Sequence, residues 1–127
     1  MKKESFTLLE MLIVLGIIAV VITFAAVSYS NAQKKGRDAR RKSDIKMVQN
    51  AMEQYYSVCG FQYPVASNGL VPTIMCAAPS SMILQTVPVD PRGGTPYPLS
   101  NSTTSTYQIC TTLESEAQPN YCVANQQ

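Results

Sequence analysis

Between Glu10 and Lys34 the chain carries no charged residue, and that single run limits what it can become. Residues 11–33 are 23 in number and span roughly 34 Å as a helix, enough to cross the ~30 Å hydrocarbon core of a bilayer. Lys2, Lys3 and Glu4 precede the run, and Glu10 stands at its very start.

In a chain of 127 residues that segment leaves room for one further domain, of about 70 residues once the helical part is set aside. A core of that size is marginally stable alone. The 46% hydrophobic content averages a very apolar N-terminus with a C-terminus rich in Pro, Ser and Thr. The net charge of +2 is an average too. Lys34, Lys35, Arg37, Arg40, Arg41 and Lys42 fall within nine residues, offset only by Asp38, while the C-terminal part is sparsely charged.

Cys59, Cys76, Cys110 and Cys122 all lie beyond the apolar run. They form no CxxC pair and the chain has no histidine, so structural zinc is not expected. An even count in a small polar domain behind an export segment reads as two disulfides in an oxidising compartment. Three pairings are open. Cys59–Cys76, closing the loop after the long helix, and Cys110–Cys122, across a hairpin, are favoured over the other two, and over four free thiols.

An ordinary secretory signal has an apolar stretch of about 7–15 residues ending in small residues at the cut. Here the apolar run is longer and the small residue, Ser5, precedes it. Cleavage at that place removes a short basic leader, residues 1–5, and leaves the apolar helix attached. Lys2-Lys3-Glu4-Ser5 followed by Phe6-Thr7-Leu8-Leu9-Glu10-Met11-Leu12-Ile13-Val14 resembles the class III leader and mature start of type IV pilins and type II secretion pseudopilins. The resemblance implies that a prepilin peptidase cuts between Ser5 and Phe6 and methylates the new N-terminus. It also implies that Glu10, the family's glutamate five residues into the mature chain, pairs with the N-terminal ammonium of a neighbouring copy and sets register in a filament. Ser5 replaces the usual Gly, and Ala19 and Val27 stand where many pilin helices carry Gly and Pro, so a more continuous helix is expected; Gly16 lies nearby.

Residues 33–56 contain no Pro, and only Gly36 is a poor helix former. Ile45, Val48, Met52 and Tyr55 recur at helical spacing, with Met47 and Ala51 widening the stripe. Residues 6–56 therefore read as one helix of roughly 75 Å, apolar all round in its first half and amphipathic in its second. Cys59-Gly60 ends it. An irregular connection follows to residue 78, then a short helix over residues 80–87 between Pro79 and Pro88. Residues 90–94 form a turn. Residues 96–99, 106–113 and 121–124 are strand candidates, the first two separated by a Ser/Thr-rich turn. The expected class is α+β: a long N-terminal helix packed on a small three-stranded antiparallel sheet. The expected divisions are leader 1–5, transmembrane or filament-core helix 6–30, amphipathic half-helix 31–58 and a disulfide-stapled sheet domain 59–127.

Two lysines precede the apolar run and six cations follow it, so the positive-inside rule places the C-terminus in the cytoplasm. The leader and the cysteines place it outside, and the leader is the more specific signal. The basic cluster reads as a solvated helix face, preferred over contact with phosphate of nucleic acid or anionic headgroups. Residues 87–97 resemble the turn before the sheet in major pseudopilins, which bind calcium with an acidic loop further on. Here residues 100–107 hold no carboxylate and Glu114 and Glu116 stand isolated, so no metal is expected. Asn101-Ser102-Thr103 fits a glycosylation sequon, a short pattern that arises by chance. No His, nucleophile elbow, phosphate loop or carboxylate pair points to catalysis, and no cofactor is expected. The resemblance implies a prepilin of the inner membrane, later part of an extracellular filament. Its partners are other copies of itself, prepilin peptidase, an inner-membrane assembly platform and, before assembly, lipid. The alternatives are a type II secretion pseudopilin and a single-pass membrane protein with a basic lipid- or nucleic-acid-binding stretch.

Overall fold

The computed structural model describes residues 6–77 and 80–127; the leader with Ser5, and residues 78 and 79, lie outside the described residues. The order is α1 (Leu8–Val58), β1 (Ile74–Cys76), β2 (Ser81–Leu84), β3 (Leu99–Ser100), β4 (Gln108–Thr112) and β5 (Asn120–Ala124). This is the α+β arrangement of one long N-terminal helix with small antiparallel sheets. By contacts the chain divides into two compact units, Met1–Lys34 and Lys35–Gln127, the second called the head below.

The helix α1 runs unbroken for 51 residues, through Gly16 and Gly36. Thr7 caps its start: the hydroxyl accepts a hydrogen bond from the Glu10 amide at 3.2 Å. Its end is a Schellman turn around Gly60, whose φ of 91° suits a residue without Cβ. The Phe61 amide reaches back to the Tyr56 carbonyl at 3.0 Å, and the two rings meet edge to face at 5.7 Å. The disulfide Cys59–Cys76 ties this terminus to β1.

In the head, Ile45, Val48, Ala51 and Met52 are buried against Tyr63, Val71, Ile74, Tyr97, Leu99, Tyr107, Ile109 and Val123. The helical stripe thus packs as its spacing suggested, with two exceptions. Tyr55 is only half-buried, and Met47 is 49% exposed, because it lies one step off the face that Ile45 and Val48 bury.

The order β3-β4-β5 makes a three-stranded antiparallel sheet in which Ile109 faces Val123 and Cys110 faces Cys122, the second disulfide. Its first strand is shorter than the expected 96–99: Pro96 and Pro98 make only isolated bridges to Val89 and Leu70, since proline has no N–H to give a ladder. The helix expected over residues 80–87 is absent. Ser81–Leu84 is strand β2 instead, paired with β1, Met75 opposite Met82. A stretch that short gains too few internal hydrogen bonds to hold as a helix, whereas β1 offers it a row of backbone partners.

Candidate functional site

Two surfaces, one in each unit, carry the chemistry of this chain. In the first unit the N-terminal part of α1 exposes every side chain from Phe6 to Lys34. An 18-residue window of it is apolar enough to cross a membrane and none of it is buried. Leu8, Leu12, Leu15, Phe24 and Val27 are each more than 60% exposed, a quantity of apolar surface that water does not tolerate on a lone subunit. Two hydroxyls in this stretch bond back into the helix: Thr23 donates to the Ala19 carbonyl at 2.8 Å and Ser28 to that of Phe24 at 3.4 Å.

Glu10 is exposed in the first turn, three residues after the capping Thr7. Thr7-Leu8-Leu9-Glu10 has the spacing of a capping box, and a carboxylate there also meets the positive end of the helix dipole. The sequence carried that signal, and it gives Glu10 a local role beside its expected intermolecular one. Phe6 is 70% exposed, while Ser5, the other half of the expected cut, is outside the described residues.

The second surface is the helix face that receives the rest of the head; here Lys34, Lys35 and Arg40 are exposed, as a solvated face requires, but Arg37, Arg41 and Lys42 have a different use. Arg41 is 4% exposed. Its guanidinium forks onto Asp90 at 2.7 and 3.1 Å and reaches Asp38 at 3.0 Å and Glu114 at 2.8 Å. Arg37 makes its own fork onto Glu114, at 3.0 and 2.6 Å, and Lys42 pairs with Glu116. Glu114 and Glu116 are therefore not isolated, because folding returns the β4–β5 connection to the helix. Asp38 is 3% exposed and accepts from the amides of Glu114 and Ser115 and the Ser115 hydroxyl, at 2.6–3.0 Å.

Those contacts set the charge states. Burial alone would raise the Asp38 carboxyl, but the Ser115 hydroxyl, the two amides and Arg41 hold it at about 2. Hydrogen bonds from Arg41 hold Asp90 at about 2 against burial, and those from Arg37 hold Glu114 at about 2. Arg41 itself is pushed upward, chiefly by Asp90.

Further along the same face Asp44 accepts from the Tyr97 hydroxyl at 2.9 Å, and the Gln49 amide donates to the Ala124 carbonyl at 2.7 Å. Glu53 takes the hydroxyls of Tyr63 and Tyr107 at 2.9 and 2.8 Å. Burial, then these carboxylates, keep the three phenols protonated as donors.

An open cavity of about 310 Å³ lies beside Arg41 and Asp90, lined also by Tyr97, Thr111 and Asn120. Among the described residues every buried side-chain polar atom has a partner, and no group of three His, Cys, Asp or Glu is placed to hold a metal ion; the three carboxylates around Arg41 are gathered by its guanidinium. The four cysteines are paired as Cys59–Cys76 and Cys110–Cys122. The buried polar atoms of the head are thus all satisfied, whereas the first unit presents apolar surface with nothing packed on it among the described residues.

Comparison with family models matches residues 1–26 to the prokaryotic N-terminal methylation motif. Comparison with curated proteins and with solved structures returns no match.

Proposed function

From the premise that this chain carries the class III leader signature of type IV pilins and pseudopilins, we propose that it is a pilin, a structural subunit of a type IV pilus or related filament. The observation that carries this reading is the coincidence of the methylation motif with the start of a helix whose N-terminal apolar stretch is wholly exposed. A leader of this kind marks a structural subunit and a membrane-anchored start to its life.

In the proposed sequence of events the helix first spans the inner membrane as a single pass. Prepilin peptidase then cuts between Ser5 and Phe6, and an assembly platform passes the subunit into a filament. There the apolar face of α1 exchanges lipid for the same face of other copies. A head-to-tail contact that does not close produces a helical fibre. Cleavage at Phe6 keeps Thr7 as the helix cap and creates an ammonium four residues from Glu10. Pairing of Glu10 with that ammonium on a neighbouring copy removes the cost of a carboxylate in an apolar fibre core.

Mass spectrometry of filaments sheared from cells tests the reading. The expected subunit begins at a methylated Phe6 and contains two disulfides. Recovery of only intact Met1 chains with reduced cysteines in the membrane overturns it. Glu10→Val is expected to leave the chain in the membrane and abolish filaments; normal fibres from that variant refute the pairing role.

A further inference from the structure

Every carboxylate of the head is used by the head itself. Asp38, Asp90 and Glu114 hold Arg37 and Arg41, Glu116 holds Lys42, Asp44 holds Tyr97, and Glu53 holds two tyrosines. The cations are not all used. Lys35 is exposed and makes no ion pair among the described residues. The Arg40 side chain is 66% exposed with Asp44 at 3.9 Å, and that of Arg92 is 73% exposed with Glu114 at 3.8 Å. The outward charge of the head is therefore of one sign.

It is also concentrated at one end: Lys46, exposed further along α1, is taken up by the Gln49 side-chain oxygen at 3.0 Å. No charged residue occurs in residues 54–89 or 117–127. Arg92 is brought to Glu114, the residue that grips Arg37 and Arg41, so it joins Lys35 and Arg40 around the first two turns of the head's helix. These turns follow directly on the uncharged run that ends at Gln33. At 1.5 Å rise per residue, residues 35 and 40 lie about 3 and about 10 Å along α1 from its end. The headgroup layer of a bilayer is about 5–8 Å deep on each side, within reach of long basic side chains at both positions.

We propose that Lys35, Arg40 and Arg92 form a cationic collar that binds the phosphates of anionic phospholipid headgroups. The proposal rests on the membrane-anchored stage of the reading above and names the lipid class that stage requires. It separates the basic cluster into two jobs: Arg37, Arg41 and Lys42 fasten the rest of the head to α1, while Lys35 and Arg40, with Arg92 added from the turn, face outward, as does Lys34 in the first unit. Nucleic acid shares the phosphate chemistry, but a collar at the end of an apolar run meets lipid first.

Native mass spectrometry of the full chain in detergent, with phosphatidylglycerol and phosphatidylcholine added at equal concentration, tests the proposal. The chain is expected to retain phosphatidylglycerol at least fivefold over phosphatidylcholine, each collar cation contributing about a fivefold preference. The triple variant Lys35→Gln, Arg40→Gln, Arg92→Gln is expected to lose most of that preference, keeping about the fivefold share of the remaining Lys34, at an unchanged melting temperature. The single variants Lys35→Gln and Arg40→Gln, expected to lose about fivefold each, serve if the triple variant does not fold. Equal retention by the unaltered chain overturns the proposal, as does an undiminished preference in the variants. A DNA duplex retained at physiological salt, with no lipid preference, makes the collar a nucleic-acid surface and overturns it as well. Filaments starting at Phe6 in any of these cases leave the subunit reading intact.

Discussion

Arg41 sits among Asp90, Asp38 and Glu114 with its side chain 5% exposed, and three chain segments meet on it. Arg41→Ala would leave those carboxylates facing one another without their shared cation. Loss of one partner from a buried charge cluster costs about 3–5 kcal/mol, a large part of a small domain's stability. The expected outcome is a lower urea midpoint for the head with little change in slope. The same cluster makes stability depend on acid. Asp38 and Asp90 titrate at about 2 when folded against 3.8 as free groups, and Glu114 at about 2 against 4.5. A depressed folded value means the contribution is complete above the free values and lost as pH falls through them, here between about 4.5 and 2. Thermal melts followed by circular dichroism are expected to hold steady from pH 7 to 5 and to fall below pH 4. Little of this is legible in the sequence. Asp38 and Arg41 are visibly an i, i+3 pair, but Asp90 and Glu114 are 49 and 73 residues from Arg41, and charge patterning carries no sign of such distant partners. The Thr7 cap is the reverse case, its signal carried locally by the four residues from Thr7 to Glu10.

At the scale of elements, α1 was legible because each of its determinants is local: an uncharged run, a heptad-like stripe, no proline before residue 64, and Cys59-Gly60 to end it. The core residues Ile45, Val48 and Met52 followed from the same periodicity. The β1–β2 pair was not legible, because three- and four-residue strands are specified by each other and by the Cys59–Cys76 bridge, not by their own propensity. Two substitutions separate local from packing effects. Gly36 lies in the helix interior with nothing within 4 Å of an added Cβ, so Gly36→Ala is expected to stabilise the head by about 0.8–1 kcal/mol. Met52 is fully buried, and Met52→Ala is expected to cost about 2–5 kcal/mol. Both are read from chemical denaturation of the head.

For the molecule as a whole, the boundary at Lys34 and Lys35 separates an exposed apolar surface from a unit whose buried side-chain polar atoms, among the described residues, all have partners. Lys35–Gln127 expressed alone in an oxidising compartment is therefore expected to be a soluble monomer, with a cooperative melt and both disulfides formed. Size-exclusion chromatography and calorimetry check this; an aggregated or non-cooperative product would show that the head needs the first unit to fold. Two disulfides matter at this size because a core of fewer than a hundred residues leaves a small margin, and each closed loop adds about 2–4 kcal/mol.

The same bridges have a mechanical meaning. In the fibre proposed above, a subunit under tension would transmit load along its backbone, and the head is what that load could unravel. Cys59–Cys76 and Cys110–Cys122, separated by 17 and 12 residues, withhold those stretches of chain from any extension. At about 3.5 Å per residue they shorten the unravelled contour by roughly 60 and 40 Å. The oxidised head is a short tether that yields little slack, and reduction turns it into a longer, softer one.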